Sequence, residues 1–119
     1  MPRINLKLNR RTGLGTLECV GGSTFNCGGM PGYAYPADTT VTAADKKGTV
    51  ISQTYLDSST GQPARMEYSI LWIGQDGVYI HAWSQLPGSH GCIHLLPSDA
   101  RALYTWLTAS TRIVFSWTD

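Results

Sequence analysis

Apolar residues in this chain recur at every second position, in short runs that glycines and prolines interrupt, and that two-residue period points to a fold built on sheet. Ile4, Leu6 and Leu8 alternate with polar neighbours, Asn9 to Gly13 supply turn residues, and Thr16 to Val20 resume an extended pattern. Together they predict an opening hairpin. Thr39 to Thr42, Gly48 to Tyr55 and Met66 to Ile73 are rich in Val, Ile, Thr and Tyr and read as strands, with Ser58 to Pro63 as a turn. Asp76-Gly77 marks a tight hairpin into Val78 to Trp83. Arg112 to Trp117 closes the chain as a strand with Ile113 and Phe115 on one face. Gly21 to Pro36 holds five glycines and two prolines without periodicity and is expected to be a long loop. One segment has helical spacing: after Pro97, Ser98 or Asp99 can cap a run in which Ala100, Leu103, Tyr104 and Leu107 recur.

With 119 residues there is enough chain for one core and too little for two, and no repeat or linker divides it, so residues 1–119 are expected to form one domain. The composition, 42% hydrophobic and 14% charged with thirteen glycines, fits a mainly β domain with many tight turns and one helix near its end, and excludes disorder. A net charge of +1 gives no field that would select nucleic acid or an anionic membrane as partner. The cluster Arg3, Lys7, Arg10 and Arg11 reads as a solvated face. No apolar run is long enough for a signal-peptide core or a membrane span.

Three cysteines is an odd number, which in an oxidising compartment suggests one bridge and one free thiol. Cys19 and Cys27 are the natural pair for the bridge, with burial of both as small hydrophobes the alternative. Cys92 is then the free thiol. It lies in the densest polar stretch of the chain, Tyr79 to Leu95, which contains all three histidines, His81, His90 and His94. A thiol beside an imidazole is the arrangement that makes cysteine a strong nucleophile. Any of the three histidines could be that base. Gly91, lacking a side chain, lets backbone N–H groups approach a reacting carbonyl, so the amides of Gly91 and Cys92, with His90, form a candidate oxyanion hole worth about 3 to 4 kcal/mol per donor. A competing arrangement places His90, Cys92 and His94 on one face of a strand, where with His81 they would hold zinc. Alternate strand residues lie ~6.6 Å apart, which is awkward for ligands that must each reach ~2.1 Å from one metal. We expect no metal and no organic cofactor.

The string Ser89-His90-Gly91-Cys92-Ile93 resembles the signature of the L,D-transpeptidases of the YkuD type, cysteine enzymes that act on peptidoglycan. Arg65-Met66-Glu67-Tyr68 followed by Gly77-Val78-Tyr79-Ile80-His81 is similar to that family's substrate-lining strand pair ending in its catalytic histidine. Tyr35-Pro36-Ala37-Asp38-Thr39 resembles a degenerate Thr-Pro-x-Gly-Thr turn, and Asp99 to Trp117 the closing helix and strand. The resemblance covers about residues 35 to 117.

The resemblance implies a β-sandwich-like fold, Cys92 as nucleophile, and His81 as general base oriented by a backbone carbonyl near Ala82. It also implies that Ser89 and His90 shape the acyl pocket, with Met66, Tyr68, Tyr79, Trp83 and His94 contacting substrate. The implied partner is the peptidoglycan stem peptide, met by a monomer in the periplasm or wall through a thioester acyl-enzyme. The implied reactions are L,D-carboxypeptidase, L,D-transpeptidase or D-amino acid exchange. With no export signal in the sequence, delivery by a type VI-like secretion route as an antibacterial effector, with an immunity protein as partner, is one expectation; a trimmed signal is the other.

Three departures from the family pattern carry expectations of their own. His94 stands where Arg or Asn is usual and would grip a substrate carboxylate only in part at neutral pH. Ala82 and Trp83 replace the glycine that commonly follows the histidine. Seven residues separate His81 from Ser89, a short loop that predicts a reduced lid and hydrolysis ahead of transfer. The runner-up function is a non-catalytic wall-binding module that presents Tyr68, Trp72, Tyr79 and Trp83 as an aromatic surface.

Overall fold

The opening alternation is realised in strand β1 (Arg3–Asn9), where Ile4, Leu6 and Leu8 are fully buried and the residues between them turn outward. Each such side chain contributes roughly 1.5 to 3 kcal/mol by leaving water. The computed structural model describes residues 1–119. After β1 come β2 (Leu14–Cys19), β3 (Thr24–Gly28), β4 (Asp38–Val41), β5 (Lys46–Leu56), β6 (Pro63–Ile73), β7 (Val78–Ala82) and β8 (Ile93–Leu95). Helix α1 (Pro97–Trp106) and β9 (Thr111–Thr118) complete the chain. No helix is long and apolar enough to cross a membrane.

The strands form one nine-stranded sheet in the order β4-β9-β1-β2-β3-β8-β7-β6-β5. β1 is central to one half, antiparallel to β2 and parallel to β9, with Ile4 opposite Ile113 and Leu6 opposite Phe115. The sheet folds over on itself. Trp72 on β6 donates from its indole N–H to Thr39 Oγ1 on β4 at 2.7 Å and stacks on Tyr35 with ring centroids 5.3 Å apart, so strands distant in the sheet order close on one core. Helix α1 covers β6 and β7 with Ala100 and Leu103 buried beneath it. The result is a mainly β, sandwich-like single domain with its one helix near the C-terminus.

Several boundaries differ from the sequence-based expectation. The predicted long loop Gly21 to Pro36 contains β3, which pairs with β2 from Leu14↔Gly28 to Glu18↔Thr24. The glycine at its end is there for close approach: a Cβ on Gly28 would lie 2.0 Å from the Leu86 carbonyl oxygen. The helix is capped by Leu96 with no side-chain bond and has Pro97 at its first position, where a missing N–H costs nothing. Asp76-Gly77 does not make a two-residue hairpin; Gly74–Asp76 forms a short 3-10 turn that Gly77 ends at φ +64°.

The expected Cys19–Cys27 bridge is not formed. Cys27 pairs across the ladder with Gly15, four residues along β2 from Cys19. At ~3.4 Å per residue that separates their Cα atoms by about 14 Å along the sheet, whereas a disulfide needs Cα atoms within about 7 Å. All three cysteines are free, and Cys19 and Cys27 are buried in the core, with burial pushing their thiols up to about 11 and about 12. Air oxidation of the folded protein followed by alkylation in denaturant should therefore label three thiols; an intramolecular product lighter by two hydrogens would contradict this register.

Candidate active site

The site is built where β7 meets its parallel neighbour β8 and the turn that leads into it. β7 and β8 pair in parallel with Ile80 opposite Ile93 and His81 opposite His94. Stepping back one residue on each strand sets Cys92 level with Tyr79, whose backbone N–H donates to Cys92 Sγ at 3.4 Å. His81, two residues further on β7, and Cys92 line a single cleft of about 360 Å³.

His81 is 2% exposed, and its Nδ1 lies 2.8 Å from the Ala82 carbonyl oxygen. A carbonyl can only accept, so Nδ1 carries the proton and Nε2 is left with the basic lone pair. Burial pushes the His81 pKa down to about 4, opposed by the Ala82 carbonyl and assisted by nearby His94. At neutral pH the ring is therefore neutral. Burial also raises Cys92 above the ordinary thiol range, against a lowering from the Tyr79 N–H. The resting pair is thus thiol and imidazole, with no hydrogen bond between them. Such bonds are often loose without substrate and tighten on binding.

Cys92 sits on a tightly held turn. Ser89, buried, accepts from the Gly91 N–H at 3.0 Å and donates to the Cys92 carbonyl oxygen. Gly91 has φ +136°, a region that side chains rarely enter, and a Cβ there would meet the Tyr33 ring at 3.0 Å. The Tyr35 hydroxyl donates to the Gly91 carbonyl at 2.6 Å and accepts from the Met30 N–H at 2.9 Å. The alternation His90, Cys92, His94 is broken by this turn, since the strand begins only at Ile93. No three His, Cys, Asp or Glu residues are grouped so as to hold a metal ion, so the zinc arrangement finds no geometry here.

Of the residues expected to contact substrate, Met66, Trp83, His90 and His94 line the cleft with His81 and Cys92. Ser89 does not line it and acts from behind the turn. Gly91 differs from expectation because its N–H is occupied by Ser89 Oγ. Tyr79 contributes its backbone to Cys92, and its ring is not among the lining groups. Tyr68 is turned away: a bulge in β6 gives it φ +52°, and its ring packs edge-on to Tyr104 of α1 at 5.7 Å. Trp72 is only 5% exposed in the core, so it does not join Tyr68, Tyr79 and Trp83 in one aromatic surface. His94 is 7% exposed, stacks on Trp83 at 5.6 Å, and leaves Nδ1 without a partner. Burial lowers its pKa as well, opposed by backbone hydrogen bonds to Leu86 and Gln85, which weakens further the charge it could offer a carboxylate.

Sequence reasoning missed two contributors. The short loop from Trp83 to Gly88 does not leave the cleft uncovered, because Tyr55, Leu56 and Ser58 from the β5–β6 hairpin also line it. Tyr55 stacks on His90 with centroids 4.4 Å apart. Tyr33 and Asp76 close another wall, the Tyr33 hydroxyl directed at Asp76 Oδ2. A Tyr beside the mouth of a hairpin carries no periodic signal that would have marked it.

A half-buried thiol and a tautomer-fixed histidine in one cleft of a folded-over sheet define a cysteine–histidine site on a β scaffold. The model of the YkuD family, described as the L,D-transpeptidase catalytic domain, matches residues 13–115. The chain belongs to that family. Solved structures agree on the fold. L,D-transpeptidase 1 of Mycobacterium tuberculosis is 22% identical, with a TM-score of 0.66 over 98% of this chain and 63% of that one. An L,D-transpeptidase of Stackebrandtia nassauensis is 25% identical, with a TM-score of 0.67 over 97% and 55%. That of Xylanimonas cellulosilytica is 20% identical, with a TM-score of 0.68 over 97% and 60%. This chain spans about three fifths of the length of such solved chains. No curated protein sequence matches it significantly.

The neutral pair has a measurable signature. Iodoacetamide reacts with thiolate, so labelling of Cys92 should climb by about tenfold per pH unit from pH 6 to beyond pH 8, following a thiol raised above its ordinary range. A rate already on a plateau between pH 5 and 8 would reveal a preformed thiolate–imidazolium pair and contradict the resting state described.

Proposed function

We propose that the protein is a cysteine acyltransferase of peptidoglycan, cleaving the amide between the L-centred third residue and the terminal D-alanine of tetrapeptide stems. The observation that carries this is the His81 Nδ1 contact to the Ala82 carbonyl, which leaves Nε2 as a base in the same cleft as the half-buried Cys92 thiol. Family membership supplies the class of substrate.

In the first half-reaction Cys92 Sγ attacks the amide carbonyl while its proton passes to His81 Nε2. The C–S bond forms, the C–N bond breaks, and His81 returns the proton to the departing D-alanine amine. In the second, an acceptor amine or water attacks the thioester carbonyl and gives a proton to His81, the C–S bond breaks, and His81 passes that proton to the departing Cys92 sulfur, restoring the neutral pair. No cofactor is needed for either step. Because His81 stays neutral down to about pH 4, it is competent as a base throughout the neutral range, and activity is lost as pH falls through that value. The site of action is the periplasm or wall, where the substrate lies.

The balance between water and amine depends on cover over the thioester. Tyr55, resting on His90 above the cleft, takes the part of the lid that the 83–88 loop is too short to play. That contact argues for slower attack of water on the acyl-enzyme than the short 83–88 loop alone would give.

Disaccharide tetrapeptide incubated with the protein, with and without a D-amino acid, and read by mass, tests the proposal. Cys92→Ala should abolish turnover, and His81→Ala should lower it by about a hundred- to ten-thousand-fold, with little further loss in the double variant. Substantial activity in either single variant would refute the roles assigned. Tyr55→Ala should raise the ratio of tripeptide to exchanged product; an unchanged ratio would show that the hairpin does not shield the thioester.

A further inference from the structure

The Gly91–Cys92 peptide is the last backbone unit before the nucleophile, and both of its ends can be accounted for. Its carbonyl accepts from the Tyr35 hydroxyl at 2.6 Å. Its N–H, that of Cys92, donates to no group in the protein. The preceding N–H, that of Gly91, is already taken by Ser89 Oγ at 3.0 Å. Of the two amides flanking Gly91, only one is therefore free to meet charge developing on a substrate oxygen.

The peptide is planar and trans, so its N–H points opposite to its C=O. Tyr35 is buried, stacked on Trp72, and is not part of the cleft wall. A carbonyl directed at Tyr35 therefore directs the Cys92 N–H away from the core, on the side where Cys92 borders the cleft. The Tyr35 hydroxyl is itself held, accepting from the Met30 N–H at 2.9 Å, so its own proton is committed to Gly91. Hydrogen bonds in such a chain polarise one another, and a donor at the carbonyl makes the N–H of the same peptide a stronger donor. Gly91 sits at φ +136°, which only glycine adopts freely, and a Cβ there would meet the Tyr33 ring at 3.0 Å, so the Tyr35 hydroxyl is the side-chain contact that fixes the orientation of this peptide.

From this geometry we infer that Tyr35 is a positioning residue for acyl transfer, fixing and polarising the Gly91–Cys92 peptide so that the Cys92 N–H is the oxyanion donor. The inference rests on the proposed acyl-enzyme chemistry at Cys92 and adds to it a residue outside the cleft and distant in sequence. It also reassigns the donor expected from Gly91.

The test uses p-nitrophenyl acetate, a small activated ester that needs the nucleophile and the oxyanion donor but none of the stem-peptide contacts. Cys92 Sγ attacks the ester carbonyl, the C–S bond forms as the C–O bond breaks, p-nitrophenolate leaves, and the thiol proton goes to His81. Tyr35→Phe keeps the ring and removes the hydroxyl. It should slow the Cys92-dependent burst about tenfold, through the acylation rate constant and not through KM. Alkylation of Cys92 by iodoacetamide, which builds no oxyanion, should proceed at the wild-type rate. Equal slowing of both reactions would mean that Tyr35 only supports the turn, and an unslowed burst would mean that it does not act at all; either overturns the inference.

The wild-type protein gives an independent reading if Tyr35→Phe does not fold. On acetylation, the backbone amide proton of Cys92 should move downfield in a nitrogen–proton correlation spectrum, while that of Gly91 stays in place. A shift at Gly91 instead would overturn the assignment. A wild-type burst without turnover of tetrapeptide would leave this inference standing and sink the substrate reading, whereas no Cys92-dependent burst would sink the inference itself.

Discussion

The parallel pairing of β7 with β8 is the contact on which the chemistry depends. Its register, Ile80 to Ile93 and His81 to His94, brings residues from two separate segments to the same level of the sheet. The apolar members of the ladder, Ile80, Ile93 and Leu95, are among the least exposed side chains of the core, so burial holds the pairing and the polar members ride on it. A slip of one residue between the two strands would leave His81 and Cys92 on opposite faces. The price of this placement is desolvation, which leaves both groups uncharged at rest; in the proposed reaction, proton transfer waits for the moment of attack.

Around that ladder the backbone does much of the work usually credited to side chains. Ala82 supplies a carbonyl that fixes the His81 tautomer, Tyr79 an N–H that contacts the thiol, and Gly91 a carbonyl that Tyr35 holds. The side chains that matter most outside the cleft, Ser89 and Tyr35, act by fixing backbone. Loop 83–88 is anchored in the same way, with the Leu86 carbonyl lying over Gly28 where any side chain would collide.

The parts of this arrangement that were legible in the sequence are those with a local period. β1 and β9, with one buried face each, and α1, with buried Ala100 and Leu103, follow directly from two-residue and helical spacing. β3 escaped because the glycines around it read as loop, whereas its own Gly28 is there to admit the Leu86 backbone. Tyr68 was expected in the cleft with Met66 from the family resemblance; the bulge at Tyr68 breaks the strand's alternation and sends its ring toward Tyr104. The Cys19–Cys27 pairing failed for a related reason, since proximity in sequence says nothing of the four-residue offset that the β2–β3 register imposes. Tyr35, Tyr55 and Asp76 come to the site from separate strands and turns, and no spacing along the chain announces such a meeting.

The central claim is that Cys92 carries the substrate as a thioester. Brief reaction with disaccharide tetrapeptide, an acid quench and peptide mapping by mass would locate that bond. The account predicts a muropeptide adduct lacking D-alanine on the fragment containing Cys92, and on neither Cys19 nor Cys27, which are buried in the core. Release of D-alanine with no adduct on that fragment, or an adduct on any other residue, would contradict it.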